Sequence, residues 1–236
     1  VGLVERLTEH LAAPTGVRER LWQVRAKRVI MATGAIERHM VFANNDRPGI
    51  MLASAARKYL NHYGVLVGRQ IGVYTANDSA YAAAFDLKRA GAEIVAIVDV
   101  RETIDEQLSV EAASLGIDVR LASGISAAGG KLRVSSMSIE KVDGSGTPEV
   151  MPVDAIIMSS GWTPSVHLFS QSRGKLRFHD QKQVFVPNQY VQDCICVGAC
   201  NGAETLAETV EQALTAGSQA AGLHVKKHKR GKAQSA

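Results

Sequence analysis

Hydrophobic runs and their breaks divide the chain into short apolar strands alternating with Ala-rich helices. Val1–His10 and Arg20–Ala26 have the pattern of two strands of a small hairpin, joined by a turn over Ala12–Val17 that contains Pro14 and Gly16. Arg28–Ala32 reads as a buried strand that breaks at Ala32-Thr33-Gly34. Ala53–His62 then brings Ala56, Tyr59 and Leu60 together at helical spacing, and Gly64 is a natural C-terminal stop. A second unit opens at Gly68. Ile71–Tyr74 forms a strand, Thr75–Ser79 a polar turn, and an Ala-rich helix runs to Ala90. Gly91 ends that helix, and Glu93–Val98 is the next buried strand, finishing at Asp99. This β-α-β unit of about 30 residues has the length of a nucleotide-binding crossover. A helix over Thr103–Leu115 and a third parallel strand over Ile117–Leu121 extend it.

Beyond that point the period changes. Ser123–Met151 alternates with Gly and Ser turns, which predicts an antiparallel meander appended to the parallel sheet. Asp154–Met158 is again a fully apolar strand and breaks at Gly161; Val184–Val186 and Cys194–Val197 are further short strands. Ala203–Leu223 repeats Leu206, Val210, Ala213, Leu214 and Gly217 at three- and four-residue steps, the pattern of a helix. The order predicts an α/β fold in which one domain is entered, left and re-entered. Residues 1–64 belong to an outer domain, 65–158 to an inserted α/β unit and 159–224 to the outer domain again, with a basic tail or linker over 225–236. Such discontinuity is typical of tandem dinucleotide-binding enzymes.

Composition narrows the partners. Hydrophobic content of 46% and charged content of 21% are ordinary for a globular protein, and aromatic content of 5% with much Ala and Gly suits close helix-on-sheet packing. No apolar run approaches the ~20 residues of a membrane span, and there is no signal peptide pattern. The first residue, Val1, reads as entering from something upstream, so a longer parent chain is expected. The net charge of +4 is concentrated in Lys226, Lys227, Lys229, Arg230 and Lys232; setting those five aside leaves 22 basic against 23 acidic residues. The body is therefore near neutral, and nucleic acid is not an expected partner. Cys194, Cys196 and Cys200 form an odd cluster that fits neither a disulfide framework nor four-ligand zinc spacing. Cys194 and Cys196 share one strand face and are expected to pack in a core; the cysteine usage suits a cytoplasmic location.

A dinucleotide site needs a Gly-rich turn, a helix N-terminus and an acid for the ribose. Aligned on GxGxxG, the turn of the inserted unit places Thr75, Asn77 and Ala80 at the glycine positions, with Asp99 at the ribose acid's separation. Asn77 tolerates positive φ but obstructs close backbone approach, and Asp78 would cap the helix and repel a pyrophosphate. The insert therefore reads as degenerate, and Asp99 has an equally good role as a polar strand end. In the outer domain three downstream turns remain as contact points: Thr33-Gly34, Gly161, and Gly198–Glu204, in which Gly198, Ala199, Asn201 and Glu204 could meet a cofactor. For Glu204 the plainer alternative is a helix cap. Catalytic signals are missing: no CxxC pair, no GxSxG, no P-loop, and no histidine in a nucleophile or metal motif. The chain has the pattern of a cofactor-holding body, without a named catalytic residue or metal ligand.

Three segments carry a family resemblance: ATGAIERHMVFANNDRPGIMLASAARKYLNHYGV, YTANDSAYAAAFDL and VGACNGAETLAE. Together they resemble the α-subunit family of heterotetrameric sarcosine oxidases, over nearly the whole chain and most specifically from Ala32 to Ala84. The ATG-A-x-ER element and the Pro48-to-Met51 step are shared with large subunits of opine oxidases, dye-linked proline dehydrogenases and hydrogen cyanide synthase. The resemblance implies a two-domain flavin/NAD reductase-like Rossmann fold, its outer domain here lacking the first β-α-β, with a three-layer nucleotide-binding-like insert. It implies non-covalent NAD in the full α subunit, and FAD and FMN elsewhere in a complex with β, γ and δ subunits. Sarcosine would be oxidised at flavins of the partner subunit, giving glycine, hydrogen peroxide and a one-carbon unit for tetrahydrofolate. A ligand-free interaction module is the competing expectation.

Overall fold

The structure, a computed structural model, describes residues 1–222. The basic tail expected over 225–236 lies outside the described residues. The described chain divides into two compact units, residues 36–163 and a discontinuous unit from 1–35 and 164 onward.

In chain order, β1 (Gly2–Arg6) and β2 (Glu19–Gln23) form the expected antiparallel hairpin, with Leu3 facing Trp22 and Val4 facing Leu21. Both strands are exposed throughout, so this ribbon buries little of its apolar surface. Next comes β3 (Val29–Met31), followed by β4 (Ala35–Glu37). The buried strand expected at Arg28–Ala32 is only half-buried, with Ile30 40% exposed. The reason is its pairing: among the described residues it has one neighbouring strand, and a strand flanked on one side cannot bury both faces.

The unit over 36–163 has three layers. Its parallel sheet is built from β5 (Ile50–Leu52), β6 (Gln70–Thr75), β7 (Glu93–Asp99), β8 (Val119–Arg120) and β12 (Ala155–Ser159), in the spatial order β5-β12-β6-β7-β8. Between these strands lie α1 (Ala53–Tyr63), α2 (Ser79–Arg89) and α3 (Glu106–Ser114). The meander β9 (Ser123–Gly129), β10 (Ser136–Lys141) and β11 (Glu149–Pro152) is antiparallel, as its turn pattern predicted. Strand alternation sorts the core into two. Ile71, Val73, Ile94, Ile97, Ala155 and Ile157 pack with the Ala-rich helices. Tyr74, Ala96, Val98, Ile156 and Met158 pack with Ile125, Met137 and Ile139 of the meander. Small residues permit this spacing: a Cβ at Gly72 would collide with Met137 Sδ.

The compact unit begins at residue 36, so the boundary expected at 64/65 falls inside it. The cause is long-range pairing. β5 lies beside β12 in parallel register, Ile50 with Ile156, and Ala53 and Ala56 of α1 are fully buried in the same core. Gly64, at φ +66°, stops α1 where expected, its amide bonded to Leu60 O.

The chain continues through β13 (Trp162–Pro164), which pairs with β4. The remaining elements are α4 (His167–Gln171), the hairpin β14 (Lys175–His179) and β15 (Val184–Gln189), β16 (Cys194–Cys196), a 3-10 turn over Gly198–Asn201, and α5 (Leu206–Ala220). β16 runs parallel to β3, Cys194 with Val29 and Cys196 with Met31. Around that pair Phe169, Cys194, Cys196 and Cys200 form a small buried cluster with Val29, Met31 and Leu176. The cysteines are core residues, as their strand alternation predicted. α5 starts later than expected, at a capping box: Thr205 Oγ1 accepts from Glu208 N, and Glu208 returns a bond to Thr205 N. No described helix is long and apolar enough to cross a membrane.

Candidate functional site

Two sets of turns carry the chemistry expected from the sequence, one in each compact unit. In the unit over 36–163, the crossover from β6 to α2 occupies the place of a phosphate-binding loop. Asn77 sits there without the positive φ a glycine would supply. Its side chain is fully employed. Oδ1 accepts from Ser79 N at 2.9 Å, and Nδ2 donates to Ser159 O at 3.0 Å and Ser159 Oγ at 2.9 Å. Thr75, completely buried, donates to Asn77 O at 2.8 Å and lies 3.1 Å from Ser159 O. The loop is thus filled by its own side chains. Asp78 holds the N-cap position of α2 but its side chain makes no capping bond; the Ser79 amide donates to Asn77 Oδ1 instead. Asp78 instead meets Arg101 Nη1 at 2.7 Å, which neutralises the charge expected to repel a pyrophosphate.

Asp99 ends β7 with no exposed surface. Its Oδ1 accepts from Arg101 N at 3.0 Å and Arg101 Nε at 3.1 Å. Oδ2 accepts from Tyr81 Oη at 2.9 Å and Arg101 Nη2 at 2.8 Å. A carboxylate has about four lone-pair positions, and here all are used from within the chain. The ribose hydroxyls of a dinucleotide would find no acceptor. Burial, then the Asp99 charge, pushes the Tyr81 phenol up; the hydrogen bond to Asp99 raises the Arg101 guanidinium. Asp99 is therefore the polar strand end of the two roles expected for it, and the residues present do not fit a dinucleotide at this crossover.

Gly161 was expected with the outer domain's turns, but it lies in the same unit as Asn77, just beyond β12. Its φ is +98°, and its carbonyl accepts from Arg38 N at 2.8 Å. Trp162, next to it, donates from Nε1 to Ser79 Oγ at 3.0 Å. Gly161 thus belongs to a different compact unit from Thr33 and Gly198. β12 looks terminal in sequence but pairs between β5 and β6, which carries Gly161 into the inserted unit.

In the other unit, the parallel neighbours β3 and β16 both end in turns. Open parallel sheets bind ligands outside the carboxyl ends of their strands. Thr33 Oγ1 donates to Ser165 O at 2.6 Å, and Gly34 O accepts from Ser165 N at 2.9 Å. Gly34 has φ +70° and open space where a Cβ would stand. Across from it, Cys200 Sγ donates to Met31 O at 3.2 Å and so joins the second turn to the first. Gly198, at φ +72°, gives its amide to Gln212 Oε1 at 2.9 Å; Asn201 Nδ2 reaches the same oxygen at 3.2 Å. Ala199 lies in the 3-10 turn between them. Glu204 is neither cap nor free acid: its carboxylate is 3.3 Å from Lys182 Nζ, and Thr205 caps α5. Thr33, Gly34, Gly198, Ala199 and Asn201 are therefore brought together at adjacent strand ends. The sequence missed Tyr81, Arg101 and Gln212, which hold these turns. An arginine two positions past a strand-end acid was the available signal for one of them. Among the described residues no cluster of three or more His, Cys, Asp or Glu could hold a metal ion.

No protein-family model matches the chain. Among curated proteins it is 39% identical over 228 residues to the sarcosine oxidase α subunit of Corynebacterium sp. (strain P-1), covering 92% of this chain and 23% of that protein. It is 39% identical over 187 residues to the α subunit from Rhizobium meliloti (strain 1021), covering 78% of this chain and 18% of that protein. The chain thus spans 18% to 23% of the length of these relatives. Among solved structures, T. acidophilum thioredoxin reductase superposes with a TM-score of 0.68 at 16% identity, over 81% of this chain and 64% of that one. L-Proline dehydrogenase from P. horikoshii gives 0.58 at 23% identity, over 88% and 37% respectively. The fold is the Rossmann-like α/β fold of such reductases and dehydrogenases, as the resemblance implied.

Proposed function

The chain is related to a segment of the sarcosine oxidase α subunit, and on that premise we propose that it is the NAD-holding, scaffold-like part of such a subunit. The assembled complex oxidatively demethylates sarcosine to glycine, yielding hydrogen peroxide and a one-carbon unit for tetrahydrofolate. That chemistry takes place at flavins (FAD and FMN) associated with a β-type partner subunit, in a cytoplasmic complex that also contains γ- and δ-type subunits. The observation that carries the assignment is the contrast between the two sets of turns. The inserted crossover is filled by Asn77, Asp99 and Arg101. The turns after β3 and β16 lie side by side at parallel strand ends, with open space above Gly34. Thr33, Gly34, Gly198, Ala199 and Asn201 are accordingly the residues that hold the nucleotide. Bound NAD supplies a pyrophosphate to be held and a nicotinamide able to accept hydride. The chain's own part is to position it with small residues and short turns. The self-filled insert serves as a scaffold, which is where the interaction-module alternative keeps a foothold.

Nucleotide extracted from the intact purified complex tests this. Stoichiometric NAD is expected, lost on Gly34→Val and retained on Asp99→Asn. The reverse pattern, or no nucleotide at all, contradicts the assignment. Peroxide release from sarcosine, but not from proline or octopine, separates a sarcosine oxidase from the proline dehydrogenase, opine oxidase and cyanide synthase alternatives. Release from octopine alone would overturn the choice of substrate.

A further inference from the structure

Two loops of the unit over 36–163 are bonded to each other: the turn over 44–49 and the loop over 130–135 that joins β9 to β10. Val134 N donates to Pro48 O at 3.0 Å, and Arg47 Nη1 donates to Gly130 O. Arg133 Nη2 donates to Asp154 O at 3.1 Å, and Ser135 N to Gly129 O at 2.9 Å. Gly130 has φ +133°, and a Cβ there would strike Arg133 O, so the path of the loop depends on glycine. The side chains on these loops are therefore held in an ordered frame, which lowers the entropy cost of docking a partner.

The charge on these loops opposes that of the unit that bears them. The unit has 12 basic against 15 acidic residues, yet the two loops bring together Arg47, Lys131 and Arg133, with Asp46 the one acid in the two segments. The Asp154 carboxylate, next to Arg133 along this frame, is taken by the Arg69 and Gln70 amides. Among the described residues no carboxylate pairs with Arg47, Lys131 or Arg133, whereas Arg57, Arg89, Arg101 and Arg120 of the same unit are all ion-paired. Arg47 is half-buried, and its Nε, shielded from solvent, has no hydrogen-bond partner. Partial burial reduces the screening of that charge, so an incoming carboxylate is attracted more strongly. Between the two cations of the loop stands Leu132, 85% exposed, more than any other large hydrophobic side chain described.

We propose that this face docks an acidic surface of the same polypeptide, in the part of the parent subunit that lies outside residues 1–236. Leu132 enters an apolar socket there, and Arg47, Lys131 and Arg133 meet carboxylates around it. The inference rests on reading the chain as a segment of a longer subunit, whose relatives it matches over only 18% to 23% of their length. The patch is small, polar and centred on one leucine. That suits a contact between domains of one chain, which the covalent link holds at high effective concentration. A separate subunit would need a complementary face burying roughly 1,000 Å² or more. The sign of the patch also fixes orientation, since an acidic domain is repelled by the rest of this acidic unit.

The test uses the full-length subunit in its purified complex. A photo-crosslinker attached to Leu132→Cys is activated, and the joined peptide is identified by mass spectrometry. The expected product joins position 132 to an Asp- or Glu-bearing peptide of the same polypeptide, outside residues 1–236. A product with another subunit, or no product, would overturn the proposal. The yield should fall at least about fivefold when Lys131→Glu and Arg133→Glu are added, and again in wild-type background when salt is raised from about 0.05 M to about 1 M. A yield unchanged by both would also overturn it. Lys131, Leu132 and Arg133 are all exposed, so these replacements leave the core intact. NAD content should be the same in every variant, which keeps this result separate from the proposed function.

Discussion

Asp99 shows how much one side chain decides. The residue type and its strand-end position are those of a ribose acid, yet its four acceptor positions are taken by Tyr81, Arg101 and a backbone amide. Replacing it with Ala strands Arg101 and the buried Tyr81 hydroxyl, so Asp99→Ala should destabilise the protein by about 3 kcal/mol. Denaturant melts check this, and a loss below about 1 kcal/mol would contradict the network's importance. Tyr81 adds a pH signature. Its folded-state phenol is raised, by burial first and by Asp99 next. On raising the pH, the unfolded chain therefore loses this proton first, near pH 10. Below that point the group has no effect on stability, and above it stability falls. Tyr81→Phe should remove this part of the alkaline loss; melts compared near neutrality and above pH 10 should show a shallower decline in the variant. An identical decline would rule Tyr81 out as its source.

At the level of elements, Gly72 in β6 illustrates the three-layer packing. A strand interior seldom tolerates glycine without a reason, and here the reason is the approach of Met137 from the meander. Gly72→Val should overpack this contact and cost about 1–3 kcal/mol, with the meander's amides exchanging faster in hydrogen-exchange measurements. A neutral effect would mean that Met137 can swing aside freely. Local signals located these elements well. The Ala-rich stretch up to Ala90 became α2, Gly64 stopped α1, and Gly-Ser turns marked the meander. Other elements escaped notice: α4 spans five residues, and β14 carries Lys, Arg and His in a run too short and polar for periodicity to register.

For the whole molecule, the two units differ in how completely they are buried. The unit over 36–163 holds both large cores, whereas the discontinuous unit leaves Leu21 at 67%, Leu206 at 80% and Leu214 at 65% exposure. Residues 36–163 expressed alone should give a soluble, cooperatively melting monomer, while 1–236 alone should be poorly soluble and bind a hydrophobic dye. A monodisperse, dye-negative 1–236 would contradict this expectation.

Patterning by itself determined the α/β class, the β-α-β crossover, the glycine stops and the cysteine face, because each depends on neighbours within a few residues. It also located the turns that could meet a nucleotide. Which turns belong to the same compact unit was decided by tertiary structure alone. β12 enters the sheet between β5 and β6, taking Gly161 with it and drawing α1 into the inserted unit. Likewise, Arg101 folds back onto Asp99 and Asp78 and closes a crossover that the spacing had left open. Parallel pairing and side-chain closure join residues far apart in the chain or turn a side chain back on its own loop, and neither leaves a periodic trace in the sequence.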